Sequence, residues 1–247
     1  MAGRRIGSRN ARTAGAEEPR IVLQGRFAVF DGDSPVGLPH SSERVVAYLA
    51  VQSRAVSRGT VADALWSTST AEHASAALRT ALWRLGPELG QRLLACHGHA
   101  LALRDDVAVD LRATVQCARR IASGGGDPAG ALALLCDAED LLVDWYDDWV
   151  VLERECLRQL RLDALERLCH DLSRAGNYAE AVQAGLAAVA SEPLREGAHA
   201  ALIEAHVAQG NYADAERQYQ LLRDMLRRHL GLTPSCHVVE MLAGVRR

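Results

Sequence analysis

The sequence predicts a mainly α-helical protein with small β elements, built as a winged helix-turn-helix followed by an α-helical tetratricopeptide-like repeat domain. Three observations carry this expectation. Residues 21–103 read as strands, then three helices in close succession, then a hairpin. The phrase G-N-Y-A-(E/D)-A occurs twice, at Gly176 and Gly210, and an offset of thirty-four residues is the length of a helix-turn-helix repeat. From Asp110 to the end, apolar residues keep helical spacing.

The first segment, IVLQGRFAVF (residues 21–30), is rich in β-branched and aromatic residues with partial alternation, and the turn formers DGDSP follow. It predicts a short antiparallel meander. In SSERVVAYLAVQS the period changes: Val45, Val46, Leu49 and Ala50 recur at helical spacing, with Ser41 or Ser42 as N-cap. A short break at RAVS (54–57) leads to a second helix, RGTVADALW, in which Val61, Ala64 and Leu65 share a face. The polar STST (67–70) supplies cap residues for a third helix, AEHASAALRTALWRL, which ends before Gly86-Pro87. Two short apolar runs around His97-Gly98-His99 complete the unit as a hairpin. This order of elements is that of a winged helix-turn-helix, whose DNA-binding form lays one helix in the major groove.

Beyond Asp110 the expected helix breaks are SGGGDP (123–128), WYDDW (145–149), the two G-N-Y turns, SEPL (191–194) and GLTP (231–234). A glycine ahead of Asn-Tyr suits a helix end that needs positive φ. Tyr178 and Tyr212 then serve as packing residues, and Gly126-Asp127-Pro128 resembles a third copy of the turn, with an insertion at W-Y-D-D-W. Leu165, Leu168, Leu172, Ala181 and Leu186 in one repeat correspond in role to Leu202, Ile203, Ala215 and Tyr219 in the next. Paired helices of this kind bury each other's apolar faces and form a curved surface suited to a partner.

Composition narrows the function. The chain of 247 residues carries a formal net charge of -3, and its 28 basic residues are all Arg. Without lysine there is no Walker-type loop and no Schiff-base chemistry. A wholly basic nucleic-acid coat is excluded, so any DNA contact must be local. The six cysteines form no C-x-x-C pair and no metal-ligand spacing, and they read mostly as small apolar residues. No G-x-S-x-G or H-E-x-x-H occurs, so no enzyme, cofactor or metal is expected. Asp144, Asp147 and Asp148 read as solvated or capping carboxylates. Residues 1–20 form an arm with Arg4, Arg5, Arg9 and Arg12 and almost no large apolar side chain, and they lack an apolar signal region. The expected location is the cytoplasm, with no membrane association.

Several motifs then occur together. L-x-G-x-F-x-V from Leu23, Y-L-A at Tyr48, V-S-R at Val56, V-A-D-A-L-W at Val61, A-x-x-A-L-R-T-A-L-W-R-L from Ala74 and the closing L-G-L-T-P at Leu230 follow one another. In this combination residues 21–247 resemble the actinobacterial SARP/AfsR-type transcriptional regulators. Those proteins join an OmpR/PhoB-like winged helix to a bacterial transcriptional activator domain. The resemblance implies a DNA-binding domain at 21–110 and an activator domain at 111–247. It also implies activation of transcription on double-stranded promoter DNA, contact with RNA polymerase through its sigma or alpha subunit, and target genes of secondary metabolism such as antibiotic biosynthesis. A homodimer on DNA belongs to the same picture. The chain departs from the family pattern by lacking the ATPase module of larger relatives. It also has Gly98-His99-Ala100 where the wing often has Gly-Tyr-Arg, and Ser75-Ala76 where the third helix often has Arg-Asn.

On the third helix, Leu78, Leu82 and Leu85 with Ala74, Ala77 and Ala81 form the apolar stripe. His73, Ala76, Arg79, Thr80, Trp83 and Arg84 are left facing outward, with Ser75 beside them. Arg79 is the first choice for a bidentate contact to guanine O6 and N7. Thr80 fits a thymine methyl or a phosphate, and Arg84 a phosphate. Trp83 has two readings, an indole N–H donating to phosphate or a ring packed against the wing. Arg44 and Arg58 are candidate phosphate clamps, and His97 and His99 candidate wing contacts. A second reading of the chain, favoured by the modest basicity of 21–110, is a protein-interaction scaffold whose winged helix docks partners without binding DNA.

Overall fold

The computed structural model describes residues 18–243, so the arginines of the N-terminal arm lie outside the described residues. Three short strands open the fold, β1 (Arg20–Val22), β2 (Ala28–Asp31) and β3 (Ser34–Val36), paired antiparallel as a meander. The sequence did not predict their fourth partner, β7 (Ala108–Val109), which lies parallel to β1 and gives the sheet order β3-β2-β1-β7. Helices α1 (His40–Gln52), α2 (Arg58–Leu65) and α3 (Ala71–Arg84) follow, separated by β4 (Val56–Ser57) and the polar turn. β4 occupies the expected break at 54–57 and pairs with the hairpin of β5 (Leu94–His97) and β6 (Ala100–Leu103), so the wing is a three-stranded sheet of order β4-β6-β5. Between α3 and β5 lies a short helix, α4 (Pro87–Leu93), where Pro87 occupies a first-turn position that needs no N–H.

The caps explain these boundaries, with one correction. Ser57 Oγ accepts from Thr60 N and Thr70 Oγ1 from His73 N, so α2 and α3 begin where their polar residues place them. Helix α1 is different: it begins at His40 after Pro39, and neither Ser41 nor Ser42 caps it. Ser42 is fully buried, and its hydroxyl donates to Ala81 O of α3 at 2.8 Å. A buried hydroxyl must find an acceptor, and this one fixes α3 against α1.

The second part is helical: α5 (Asp110–Ala122), α6 (Pro128–Cys136), α7 (Asp148–Arg174), α8 (Tyr178–Ser191), α9 (Glu196–Gln209), α10 (Tyr212–Leu230) and α11 (Cys236–Ala243). Gly176 and Gly210 take φ of 81° and 82° at the two repeated turns, the conformation in which a side chain is strained. Leu165, Leu168, Leu172, Ala181, Leu202, Ile203 and Ala215 are buried as expected, and Tyr219 is partly buried. Leu186 is not, being 52% exposed, and Tyr212 is 54% exposed, so neither packs the repeat. Gly185 takes the buried place beside Leu186, and a Cβ there would sit 3.1 Å from Leu202 and 3.3 Å from Cys169 Sγ. Among the cysteines, Cys169 is buried while Cys96, Cys156 and Cys236 are exposed, so only some of them act as core residues.

One apolar cluster spans the two parts, while the helical repeats hold two more of their own. Leu141, Leu142, Trp145, Trp149 and Val150 pack with residues of β1, α1 and the wing in a single apolar cluster. Backbone bonds stitch the same junction, from Gly25 N to Asp140 O (2.8 Å), Leu142 N to Leu23 O (2.9 Å) and Val143 N to Gly25 O (3.0 Å). The Asp110 carboxylate accepts from the N–H groups of Leu23 and Gln24 and from Leu111 N. W-Y-D-D-W is therefore the segment that anchors α7 to the first unit.

Candidate nucleic-acid interface

Helix α3 has two unlike faces. Ala74, Leu78, Ala81 and Leu85 are buried, with Leu82 packed at their edge. Side chains three and four residues apart share a face, and the opposite face presents His73, Arg79, Thr80, Trp83 and Arg84, all exposed. Ser75 and Ala76 lie at half-buried positions. Trp83 is 80% exposed, so its ring does not pack against the wing. Arg79 and Arg84 form no ion pair and no side-chain hydrogen bond with any described residue. Thr80 Oγ1 donates to Ala76 O at 3.0 Å, which keeps its lone pairs outward. His73 Nδ1 lies 2.8 Å from Thr70 Oγ1 at the start of the helix.

The wing is held beside this face by backbone. Arg58 N donates to His99 O at 2.9 Å, joining the start of α2 to the hairpin tip, and Arg58 Nη2 reaches Cys96 Sγ at 3.9 Å. Gly98 takes a φ of 62° at the tip, and His97 and His99 are exposed on either side of it. Arg58 is half-buried, with its guanidinium directed to the wing.

Arg44 is placed otherwise than a phosphate clamp requires. Its guanidinium pairs with Asp147 at the start of α7 and donates to Leu65 O, and it lies 5.6 Å from the Trp66 ring centroid. Its side chain is 18% exposed and that of Asp147 17%. No local pattern signals this pair, because its partners are over a hundred residues apart. Asp144 likewise pairs with Arg26 at 3.0 Å, while Asp147 makes no side-chain cap bond to α7.

Charge on the first unit is balanced, with nine Arg and nine Asp or Glu in residues 20–110. What distinguishes the outer face of α3 is therefore placement rather than excess. Its two unpartnered guanidinium groups, an exposed indole and a hydroxyl lie on one helix held rigidly from behind. This arrangement can hydrogen-bond to base edges and phosphates.

A helix of this kind on a winged unit, fused to helical repeats, defines a class of transcriptional regulators. The family model described as Bacterial transcriptional activator domain matches residues 105–246. The chain belongs to that family, and the relatives below support its place among the SARP-type transcriptional regulators. It is 32% identical over 220 residues to the regulatory protein AfsR of Streptomyces coelicolor, covering 83% of this chain and 22% of that protein. With the regulatory protein AfsR of Streptomyces griseus it shares 30% identity over 250 positions, covering 95% of this chain and 25% of that protein. The chain thus spans about a quarter of the length of these relatives. The fold is similar to that of Mycobacterium tuberculosis EmbR, solved in complex with a low-affinity phosphopeptide. The TM-score is 0.73 at 20% identity, over 94% of this chain and 65% of that one. This is a family of regulators, not of enzymes.

Proposed function

We propose that this chain is a sequence-specific, DNA-binding activator of transcription that works in the cytoplasm. Residues 21–110 bind double-stranded promoter DNA, and residues 111–247 serve contact with RNA polymerase, through its sigma or alpha subunit, or self-association as a homodimer. One observation carries the reading: α3 is buried on one side and leaves Arg79, Thr80, Trp83 and Arg84 exposed on the other, with both guanidinium groups unpartnered among the described residues. Arg79 reads guanine in the major groove, while Arg84 and the Trp83 N–H contact phosphate. His73, Ser75 and Ala76 line the start of the same helix, and Arg58 from the start of α2 and His97 and His99 from the wing supply contacts to the DNA backbone. The two AfsR relatives, both called regulatory proteins, support a regulatory role, and target genes of secondary metabolism rest on the family resemblance. No helix among the described residues is long and apolar enough to cross a membrane.

The balanced charge of residues 20–110 favours a second reading, in which the winged helix is a docking module without DNA binding. Selection of genomic fragments by the purified chain, followed by gel shift, separates the two. The activator reading expects enriched fragments whose retardation is lost in Arg79→Ala and whose affinity falls steeply with salt. No enrichment at moderate salt overturns it in favour of the scaffold.

A further inference from the structure

A cleft of about 470 Å³ opens between the end of α1, the outer face of α5 and the first turns of α7. That volume lies in the range of small-molecule sites, about 300–1,000 Å³. Its lining combines apolar Val51, Val115 and Leu157 with the guanidinium-bearing Arg54, Arg112 and Arg119. Arg112, Val115 and Arg119 are three and seven residues apart on α5 and so share a face. Arg112 Nη1 donates to Val107 O at 2.9 Å, which orients it. Arg54 and Arg119 form no ion pair and no side-chain hydrogen bond with a described residue. The cleft's carboxylate, Glu153, is engaged by Gln52 Nε2 at 3.2 Å.

Three cations against one carboxylate, beside apolar walls, fit one kind of guest. We propose that this cleft binds a small organic anion with an apolar body, one bearing a carboxylate or sulfonate. The planar fork of Arg matches an oxyanion by paired hydrogen bonds. Val51, Val115 and Leu157 would take the apolar part, which a simple inorganic anion lacks. A neighbouring cavity of about 500 Å³ shares Arg54 and Arg112 but is less cationic. There Arg104, Asp105 and Asp106 join the lining, and Asp106 pairs with Arg104 at 2.9 Å, so three guanidinium groups face two carboxylates rather than one. An occupant of the arginine cleft touches α1 of the first unit and α5 and α7 of the second at once. It therefore stabilises their junction as well as binding.

The test uses the full chain and the fluorescent anion 1-anilinonaphthalene-8-sulfonate, with N-phenyl-1-naphthylamine as its uncharged counterpart. Saturable binding of the sulfonate is expected, together with a raised melting temperature. Arg54→Gln combined with Arg119→Gln weakens the sulfonate at least tenfold and leaves the uncharged dye within about twofold, with the circular dichroism spectrum unchanged. Val115→Trp, which fills the cleft, weakens both dyes. Sulfonate affinity within twofold of the parent in both variants overturns the proposal, because the dye then sits on an exposed apolar surface such as Tyr146 and Leu152. The proposal also fails if the arginine changes weaken DNA of every sequence and spare the dye, for the two side chains are then a phosphate track. Neither outcome bears on base reading by Arg79, so the two proposals stand or fall separately.

Discussion

Two arginines of the first unit, Arg44 on α1 and Arg79 on α3, are alike in sequence and opposite in structure. Arg44 lies at the junction with α7, where Asp147, Leu65 O and the Trp66 ring surround it. Arg79 stands on the outer face of α3 with no ion pair or side-chain hydrogen bond to any described residue. The second part of the molecule repeats the first pattern. Arg154 donates to the carbonyls of Leu141, Leu142 and Trp145, Arg161 to those of Leu135 and Cys136, and Arg195 pairs with Glu166 and Asp163. In a chain without lysine, arginine is both the structural clamp and the available cation. The side chains left over on α3 are therefore the informative ones.

The comparison breaks first at Arg44. Arg44→Ala leaves Asp147 a largely buried carboxylate without its partner and removes a donor from Leu65 O. Breaking a buried pair costs about 3–5 kcal/mol, and a residual exposure near a fifth brings the expected loss to about 2–3 kcal/mol. Urea denaturation of the whole chain reads it. A loss under about 0.5 kcal/mol would mean that the junction does not depend on this pair.

Arg79→Ala should show the reverse. Stability stays within about 0.5 kcal/mol, as for exposed positions without partners. Affinity for a selected operator falls by about 1–3 kcal/mol, roughly 5- to 150-fold, and discrimination relaxes at one base pair. Gel shift against an operator and a scrambled duplex measures both. Equal loss on both duplexes would place Arg79 on phosphate and leave base reading to Thr80 or Trp83.

These two arginines also show how far sequence reasoning reaches. The apolar stripe of α3 and the glycine turns of the repeats were legible because their causes are local, a helical period and a positive φ. The outward set on α3 followed from that period. Arg44, β4, β7 and the packing of Trp145 and Trp149 on Tyr48 and Phe27 were not legible. Each depends on a partner dozens of residues away, and a strand of two residues has no periodicity to detect. Ser42 was misread for the same reason: a serine near a helix start is a cap unless a distant carbonyl, here Ala81 O, claims it. Leu186 was misread because the backbone needed Gly185 to face Leu202 and turned its neighbour outward.

A weaker effect is expected at Arg84. As a phosphate contact it is worth less than a bidentate base contact, so Arg84→Ala should reduce affinity only a few-fold and equally for all sequences. The slope of log affinity against log salt should become shallower by about one unit. A sequence-dependent loss would move Arg84 from phosphate to base edge and narrow the difference from Arg79.

The smallest effect lies in the repeats, where His199 of α9 is fully buried. Its Nε2 donates to Pro193 O at 3.0 Å, and Gln218 Nε2 donates to its Nδ1 at 2.8 Å, so the ring is held neutral. Burial is the main cause that lowers its pKa from the ordinary value, outweighing the Pro193 carbonyl, which raises it. The unfolded chain therefore binds the proton at a higher pH than the folded one. The contribution of His199 is complete above the ordinary histidine pKa of about 6.5 and is lost as pH falls below it, reaching up to about 1 kcal/mol at pH 6. In His199→Gln a neutral amide can make both bonds, so the fall in urea midpoint between pH 7.5 and pH 6 should become smaller. An unchanged slope would mean that His199 does not carry the pH dependence, and His206, whose pKa burial also lowers, is then the next residue to substitute.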